Sequence, residues 1–362
     1  MRTWLLLLLP TYALAIVACG GDDSPAATTC EGSVTREAVL SVSADDIDRE
    51  IGRLGLAADQ LDEATGDLIT DPTAATVEIA RAALYSARLA LADLAPYVLV
   101  VDEAQQLLPP LAAFPVDTTQ VRAHLRVGTF DRGSAPDFDR GFPAVEYLLY
   151  AGSAQEVARE IRQQDARAAL ILAYVADVSE RVDEAIDDWA AERDAFLAAD
   201  GTAAGSGFSR LVNSLSKHYE DSRRDRLGIP FGVTLGFPSP QALEARYSGH
   251  SLALLHRNVE ASARAFAGAA GIGAGVGLDD YLEGLGDGEP TELAADIAAR
   301  YSEALIALDA VPADLPAAFE NDRGAVQTAY NAISRQVVNL KTDLPSVTCV
   351  SITYVDNPSD SD

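Results

Sequence analysis

The chain has 362 residues, 48% of them hydrophobic and only 7% aromatic, with 55 acidic against 27 basic side chains. That length accommodates two domains of ordinary size. The formal net charge of −28 repels phosphate backbones, which argues against a nucleic-acid partner, and its ordinary use is solubility.

The first nineteen residues, "MRTWLLLLLPTYALAIVAC", read as an export signal peptide: one Arg, an apolar stretch too short and proline-broken to span as a mature helix, then small residues before Cys19. Ile16-Val17-Ala18-Cys19 resembles the bacterial lipobox, in which the cysteine becomes the lipidated N-terminus after cleavage. A plain secretory signal with an incidental cysteine is the other reading. Gly20 rather than Asp follows the cysteine, so the inner-membrane retention signal is missing. The expectation is an outer-membrane lipoprotein of the cell envelope, facing the periplasm or the cell surface, with no transmembrane helix. Residues 20–34 form a polar tether. Cys30 and Cys349 stand at opposite ends of the folded part, in a disulfide-permissive compartment. We expect them to pair, closing a loop worth ~4–5 kcal/mol in the chain-entropy treatment; two free thiols are the alternative.

The remaining segments are Ala- and Leu-rich and read as helices. A helix starts at Ser43-Ala44-Asp45-Asp46, with Ile47, Ile51 and Leu54 at helical spacing. Asp71-Pro72 caps the next, whose apolar residues Val77, Ala80, Leu84, Leu91 and Leu94 keep a helical period as far as Val101. Residues 107–139 hold Pro109, Pro110, Pro115, Pro136 and several glycines, which predicts irregular chain. Residues 154–199 read as one helix or two, with "RQQDAR" able to carry a bend. "DGTAAGSGF" at 200–208 interrupts the periodicity and marks a boundary between an N-terminal bundle (35–200) and a C-terminal bundle (201–349). Later helices are expected at 211–219, from Ser251, as a short Asp-initiated helix inside the glycine-rich loop "GAAGIGAGVGLDDYLEGLGDGEP", and as a closing hairpin of 291–311 and 316–343. Residues 350–362 form an acidic tail. The fold class is all-α, two packed helical bundles with a short extended C-terminal segment.

Standard catalytic constellations are missing: there is no His-Glu-x-x-His and no Gly-x-Ser-x-Gly, and the glycine run lacks the Lys-Ser/Thr of a P-loop. His124, His218, His250 and His256 read individually as surface or capping residues, and the last two fall on different helical faces. "DFDRGFPAVEYLLYAG", residues 137–152, is more informative. Pro143 suits a first helical turn, and Glu146 falls close to the positive helix end. Val145, Leu148 and Leu149 predict that this helix is largely buried, so Glu146 needs a cation or hydrogen-bond donors. A dipole-stabilised structural glutamate and a site residue are both open at this point.

"GFPAVEYLLYAG" resembles the signature of the imelysin family of exported bacterial proteins, Gly-x-His-x-x-Glu followed by an apolar helix. "DRLGIPFG", "EARYSGHSLALLHRNVEA", "GVGLDDYLEGL", "FENDRGAVQTAYNAISRQVVNLKTDL" and the ending "VSITYVDNPSDSD" resemble further family segments in the same order, over residues 35–362. The resemblance implies two helical bundles with a site in the cleft between them. It also implies either a zinc-dependent peptidase or a part in iron uptake. Gly141 and Glu146 match the motif, but Pro143 stands where the family has histidine. An imidazole and a carboxylate three residues apart make a metal corner; proline has no lone pair to give, and one carboxylate is a poor zinc site.

Three readings follow. The first is a lipid-anchored binding or accessory protein of the envelope in iron or other metal acquisition, with an envelope transport partner and no peptidase activity. The second is a zinc-dependent metallopeptidase using Glu146 as ligand or general base, with a distant histidine completing the site; across these readings the cofactor candidates are iron and zinc. The third is a structural interaction module. In the first, Glu146 is held by a cation or hydroxyl from the second bundle, with Arg246, Tyr247, Ser248 and Ser251 as candidates and Glu244 as a second carboxylate in the cleft. Ser248 or Ser251 also reads as the N-cap of the helix that follows.

Overall fold

The computed structural model describes residues 30–233, 235–268 and 275–354. The signal segment with Cys19, most of the tether and the acidic tail from residue 355 onward lie outside the described residues. Among these residues every regular element is helical.

The first half is built on α1 (Arg36–Thr70) and α2 (Ala74–Leu94), packed along their lengths. α1 starts seven residues before the expected Ser43. Thr35 is its N-cap, accepting from the Ala38 N–H, and Ser43 is buried inside the helix. Val39 and Leu40, which are fully buried, extend the apolar stripe of Ile47 and Ile51 backwards, and burial outweighs the start signal at Ser43. The cap of α2 is not Asp71-Pro72 but Thr73, whose hydroxyl and that of Thr76 satisfy each other's backbone N–H in a capping box. Pro96 ends α2, a short 3-10 turn follows, and α3 (Val98–Val101) completes the apolar run. By length and composition Ala74–Val101 could cross a membrane, but 67% of its apolar window is buried against protein, so it is a core helix.

Residues 107–139 are less irregular than their prolines suggest. They contain α4 (Thr118–Val127), capped by Asp117 and closed by Gly128 in the left-handed conformation. Then come α5 (Gly141–Tyr150), α6 (Ala154–Gln163) and α7 (Asp165–Ala198). The "RQQDAR" segment does break the long helical region in two, at Gln164. α5 packs against α2 and α7, so it is enclosed on both sides.

After the turn at 199–206 the second half comprises α8 (Gly207–Asp221), α9 (Ile229–Phe231), α10 (Ser251–Phe266), α11 (Leu278–Gly284), α12 (Glu289–Asp309), α13 (Leu315–Asn321), α14 (Arg323–Val338) and α15 (Leu344–Thr348). The closing hairpin has one more break than expected, at Asp322 between α13 and α14. Wide π turns occupy Ser222–Gly228 and Asn339–Asp343. The halves pack directly: α8 lies on α3 and α10 on α2.

Two covalent and polar ties close the structure. Cys30 and Cys349 form the expected disulfide, their Cα atoms 6.0 Å apart across 319 residues of sequence. Arg36 Nη2 donates to the Cys30 carbonyl at 3.0 Å, and Tyr281 of the second half donates to the same oxygen. The ending runs over α8, with the Asn213 side chain bonding Ser351 O at 3.0 Å and the Thr353 N–H at 2.8 Å. Among the described residues this ending forms no strand; the Asn213 side chain bonds its backbone in the place a strand partner would take.

Candidate functional site

The start of α5 is fixed by Gly141. Its φ is +69°, and a Cβ there would sit 2.5 Å from the Pro110 carbonyl oxygen, so no other residue fits the approach to the 3-10 turn Pro109–Ala112. Pro143 falls in the first turn of α5, as its missing N–H allows. Glu146 lies one turn further and is 1% exposed.

A carboxylate that deep must have its charge and lone pairs met. Oε2 of Glu146 accepts a charge-assisted hydrogen bond from Arg88 Nη1, on α2. Oε1 accepts from two successive backbone N–H groups of the second half, Tyr247 at 2.8 Å and Ser248 at 2.6 Å. Consecutive N–H groups converging on one oxygen make an anion nest. The other arm of Arg88 reaches the same second-half loop: Nη2 donates to Glu244 O at 3.1 Å and stands 3.6 Å from Glu244 Oε1. Glu244 Oε2 in turn lies 2.9 Å from Arg226 Nε, an ion pair without hydrogen-bond alignment. The sequence Arg226–Glu244–Arg88–Glu146 is thus an alternating row of charges, buried except for the part-buried Arg226, that crosses from one half to the other.

Of the predicted residues, Glu146, Glu244, Tyr247 and Ser248 meet here, but not in the expected manner. The cation on Glu146 comes from the first half, not the second. Tyr247 and Ser248 act through the backbone; the Tyr247 ring packs against Tyr147 with centroids 5.1 Å apart. Arg246 is exposed and lies over the Tyr247 ring, 5.3 Å from its centroid. Ser251 Oγ accepts from Ala245 N–H at 3.1 Å, inside the same loop. Neither serine caps α10, whose N-cap residue is His250. Arg88 was missed, yet it carried a signal: it occupies the apolar stripe of α2 between Leu84 and Leu91, where a charge needs a buried partner.

The histidines separate by role. His124 bonds the Tyr174 hydroxyl at 2.8 Å, His256 pairs with Asp309 at 3.2 Å, and His250 stacks on Tyr85 at 4.1 Å between centroids. His218 is not at the surface: it is 6% exposed, because α8 turns that face toward α10. Burial, reinforced by nearby Arg226, pulls its imidazole down to about 3, so it is neutral.

The resemblance raises zinc or iron at Glu146, and the residues present fit neither. Both carboxylate oxygens are engaged by protein donors, Pro143 contributes no lone pair, and Glu244 is already flanked by two guanidinium groups. Among the described residues no group of three His, Cys, Asp or Glu side chains is arranged to hold a metal. A metal ion here would have to displace an arginine.

Beside the charge row a cavity of about 320 Å³ opens between the halves. Its apolar wall comes from α2 and the 95–114 segment, with Leu91, Val98, Leu108 and Phe114, joined by Phe142 of α5. Its polar end carries Arg88, Glu244, Arg226, Lys217, His218 and Asn258. The π turn at Ser222–Gly228 brings Asp225 and Arg226 onto this surface, a use of wide helical turns that recurs at ligand sites. The space next to Glu146 itself is only about 10 Å³, so the glutamate borders the cavity through Arg88 rather than facing it.

The sequence model of the imelysin family matches residues 53–340. Two solved structures share the fold at 15% identity. One, from Parabacteroides distasonis, is described as an iron-regulated protein A precursor and superposes with a TM-score of 0.73 over 87% of this chain and 96% of that one. The other, an imelysin-like protein from Psychrobacter arcticum, gives 0.71 over 89% and 99%. No curated protein matches the chain.

Two outcomes follow from this geometry. Glu146→Gln and Arg88→Met should each destabilise the protein by about 3–5 kcal/mol in urea unfolding, since each strands one buried charge. The double variant should lose less than the sum of the two, and simple additivity would show that the pair is not coupled. The second concerns His218. Its folded value lies below its ordinary value of 6.5, so the unfolded chain takes up a proton that the folded chain refuses. Stability from this source is full above about pH 6.5 and is lost as pH falls toward about 3. The drop in Tm between about pH 7 and pH 4.5 should be smaller in His218→Gln than in the parent; equal drops would contradict the buried neutral imidazole.

Proposed function

Because the chain belongs to the imelysin family, we propose that it is a lipid-anchored binding protein of the bacterial envelope whose ligand enters the cavity between the two halves, and that it does not cleave peptides through Glu146. The observation that carries this reading is the occupation of both Glu146 oxygens by Arg88 and by the N–H groups of Tyr247 and Ser248. A general base or metal ligand needs a free lone pair directed at substrate or metal. Glu146 instead ties α5 to the second half and holds the cavity wall in register.

The cavity has the character of a small-molecule site: concave, largely apolar, with a few converging polar groups. The anchor rests on Ile16-Val17-Ala18-Cys19 and the outer-membrane address on Gly20. An accessory part in iron or other metal acquisition, alongside an envelope transport partner, is what the family resemblance suggests for this chain; the Parabacteroides relative's name adds that that protein is iron-regulated.

Purified protein should carry no stoichiometric zinc or iron that Glu146→Gln abolishes, and should leave casein and insulin intact with or without chelator. Chelator-sensitive cleavage lost in Glu146→Gln, with circular dichroism showing a folded variant, would instead establish a metallopeptidase. Labelled palmitate should be incorporated into the parent and not into Cys19→Ser; label retained in that variant would refute the anchor.

A further inference from the structure

We propose a second binding site, beside the start of α4, that takes the guanidinium head of a small organic cation on the free carboxylate of Asp139. It does not depend on what fills the cavity between the halves, with which it shares only Phe138.

The site is a pocket of about 410 Å³. One wall is a face of α4, with Asp117, Gln120 and His124 at helical spacing, and the other is the segment 131–139. The Phe138 carbonyl accepts from the Asp117 N–H at 2.8 Å and joins the two walls. Carboxylates of Asp117, Asp131 and Asp139 line the pocket and, among the described residues, no lysine or arginine does. Two of the three serve their own turns. Asp117 Oδ1 accepts from the N–H groups of Thr119 and Gln120, and Asp131 accepts from the Gly133 N–H and the Ser134 hydroxyl.

Asp139 differs. It is 4% exposed, yet its carboxylate has no hydrogen bond or ion pair among the described residues. Neither oxygen is among the sealed atoms that lack a partner, so what remains open of Asp139 can be reached from the pocket it lines. Burial, and then the charge of Asp117, push its carboxyl above the ordinary value, with His124 and Arg140 acting in the opposite direction. The carboxylate is therefore within electrostatic reach of the α4 wall. Arg140, its chain neighbour, is committed elsewhere: Nη2 donates to the carbonyls of Arg132 and Ala135, and Nη1 lies 3.9 Å from Asp177. A buried charge without a partner is costly, and at a pocket wall it defines what an occupant must supply.

The shape selects among cations. No three His, Cys, Asp or Glu side chains among the described residues are arranged for a metal ion. A planar guanidinium can place two N–H groups on the two oxygens of one free carboxylate, which an ammonium cannot match. Phe138, 49% exposed at the wall, offers a ring for such a head to pack against. The net charge of −28 favours the arrival of any cation.

Butylguanidinium, butylammonium, butyrate, magnesium chloride and the peptide Ala-Arg-Ala, titrated by NMR into the full mature chain at pH 8, separate the possibilities. Butylguanidinium should bind about tenfold or more tightly than butyrate, with butylammonium between them and the bulkier peptide weaker than butylguanidinium. Asp139→Asn, folded by circular dichroism, should weaken butylguanidinium about tenfold. The same variant, free of ligand, should have a higher Tm than the parent, because it removes an unpaired buried charge. Tighter binding of butyrate or magnesium would overturn the ligand class, and tighter binding of the peptide would overturn the small compound in favour of a partner protein's arginine. Unchanged affinity in Asp139→Asn, or a lower Tm, would show that the carboxylate is not a free anchor. Failure of every probe to bind the folded parent would overturn the site.

Discussion

A carboxylate buried to 1% exposure is the constraint around which the centre of this molecule is organised. Removing Glu146 from water costs several kcal/mol unless its charge and lone pairs are met, and no single element can meet them. The guanidinium comes from α2, the carboxylate from α5, and two N–H groups from the loop before α10. Meeting one side chain's requirement therefore fixes three segments relative to one another, two in the first half and one in the second. Arg88 repeats the pattern from the other side by bonding both Glu146 and the Glu244 carbonyl. The Cys30–Cys349 bridge ties the start of the described chain to its end, far along the sequence from this clamp, so the halves are held both covalently and electrostatically.

The clamp also explains what has become of the family's motif. Gly141 retains a steric role that depends on its lack of a side chain, packing α5 against the turn at Pro109–Ala112. Pro143 retains the helix start. Glu146 remains in place, but with proline in the histidine position the carboxylate is satisfied by protein donors alone. The open space beside it is the neighbouring cavity, reached by the charge row through Arg88, Glu244 and Arg226.

Much of the architecture was legible because it depends on local periodicity. The stripe from Val77 to Leu94, the break near "RQQDAR" and the helix from Ser251 can be read from apolar spacing and turn chemistry. Errors fell where burial outweighed a local signal, as at Ser43, or where prolines concealed a helix as short as Thr118–Val127. The site was only half legible. Glu146 and Glu244 announced themselves by position, but pairing across 58 residues between Arg88 and Glu146 leaves no mark in spacing, only an arginine in an apolar stripe. Backbone donors such as the Tyr247 and Ser248 N–H groups are invisible to any reading based on side-chain type, which is why the side chains of "RYSGHS" attracted attention that belongs to its backbone. His218 was misread because helical spacing alone does not say which face of α8 meets α10.

The central claim is that Glu146 is committed to the protein and has nothing to offer a metal ion. Anomalous diffraction at the zinc edge, from crystals grown with excess zinc, tests it most directly. The account predicts no anomalous peak within bonding distance of Glu146, with Arg88 still seated on the carboxylate. A peak on Glu146, with Arg88 swung away and histidine or carboxylate side chains completing the coordination, would contradict it.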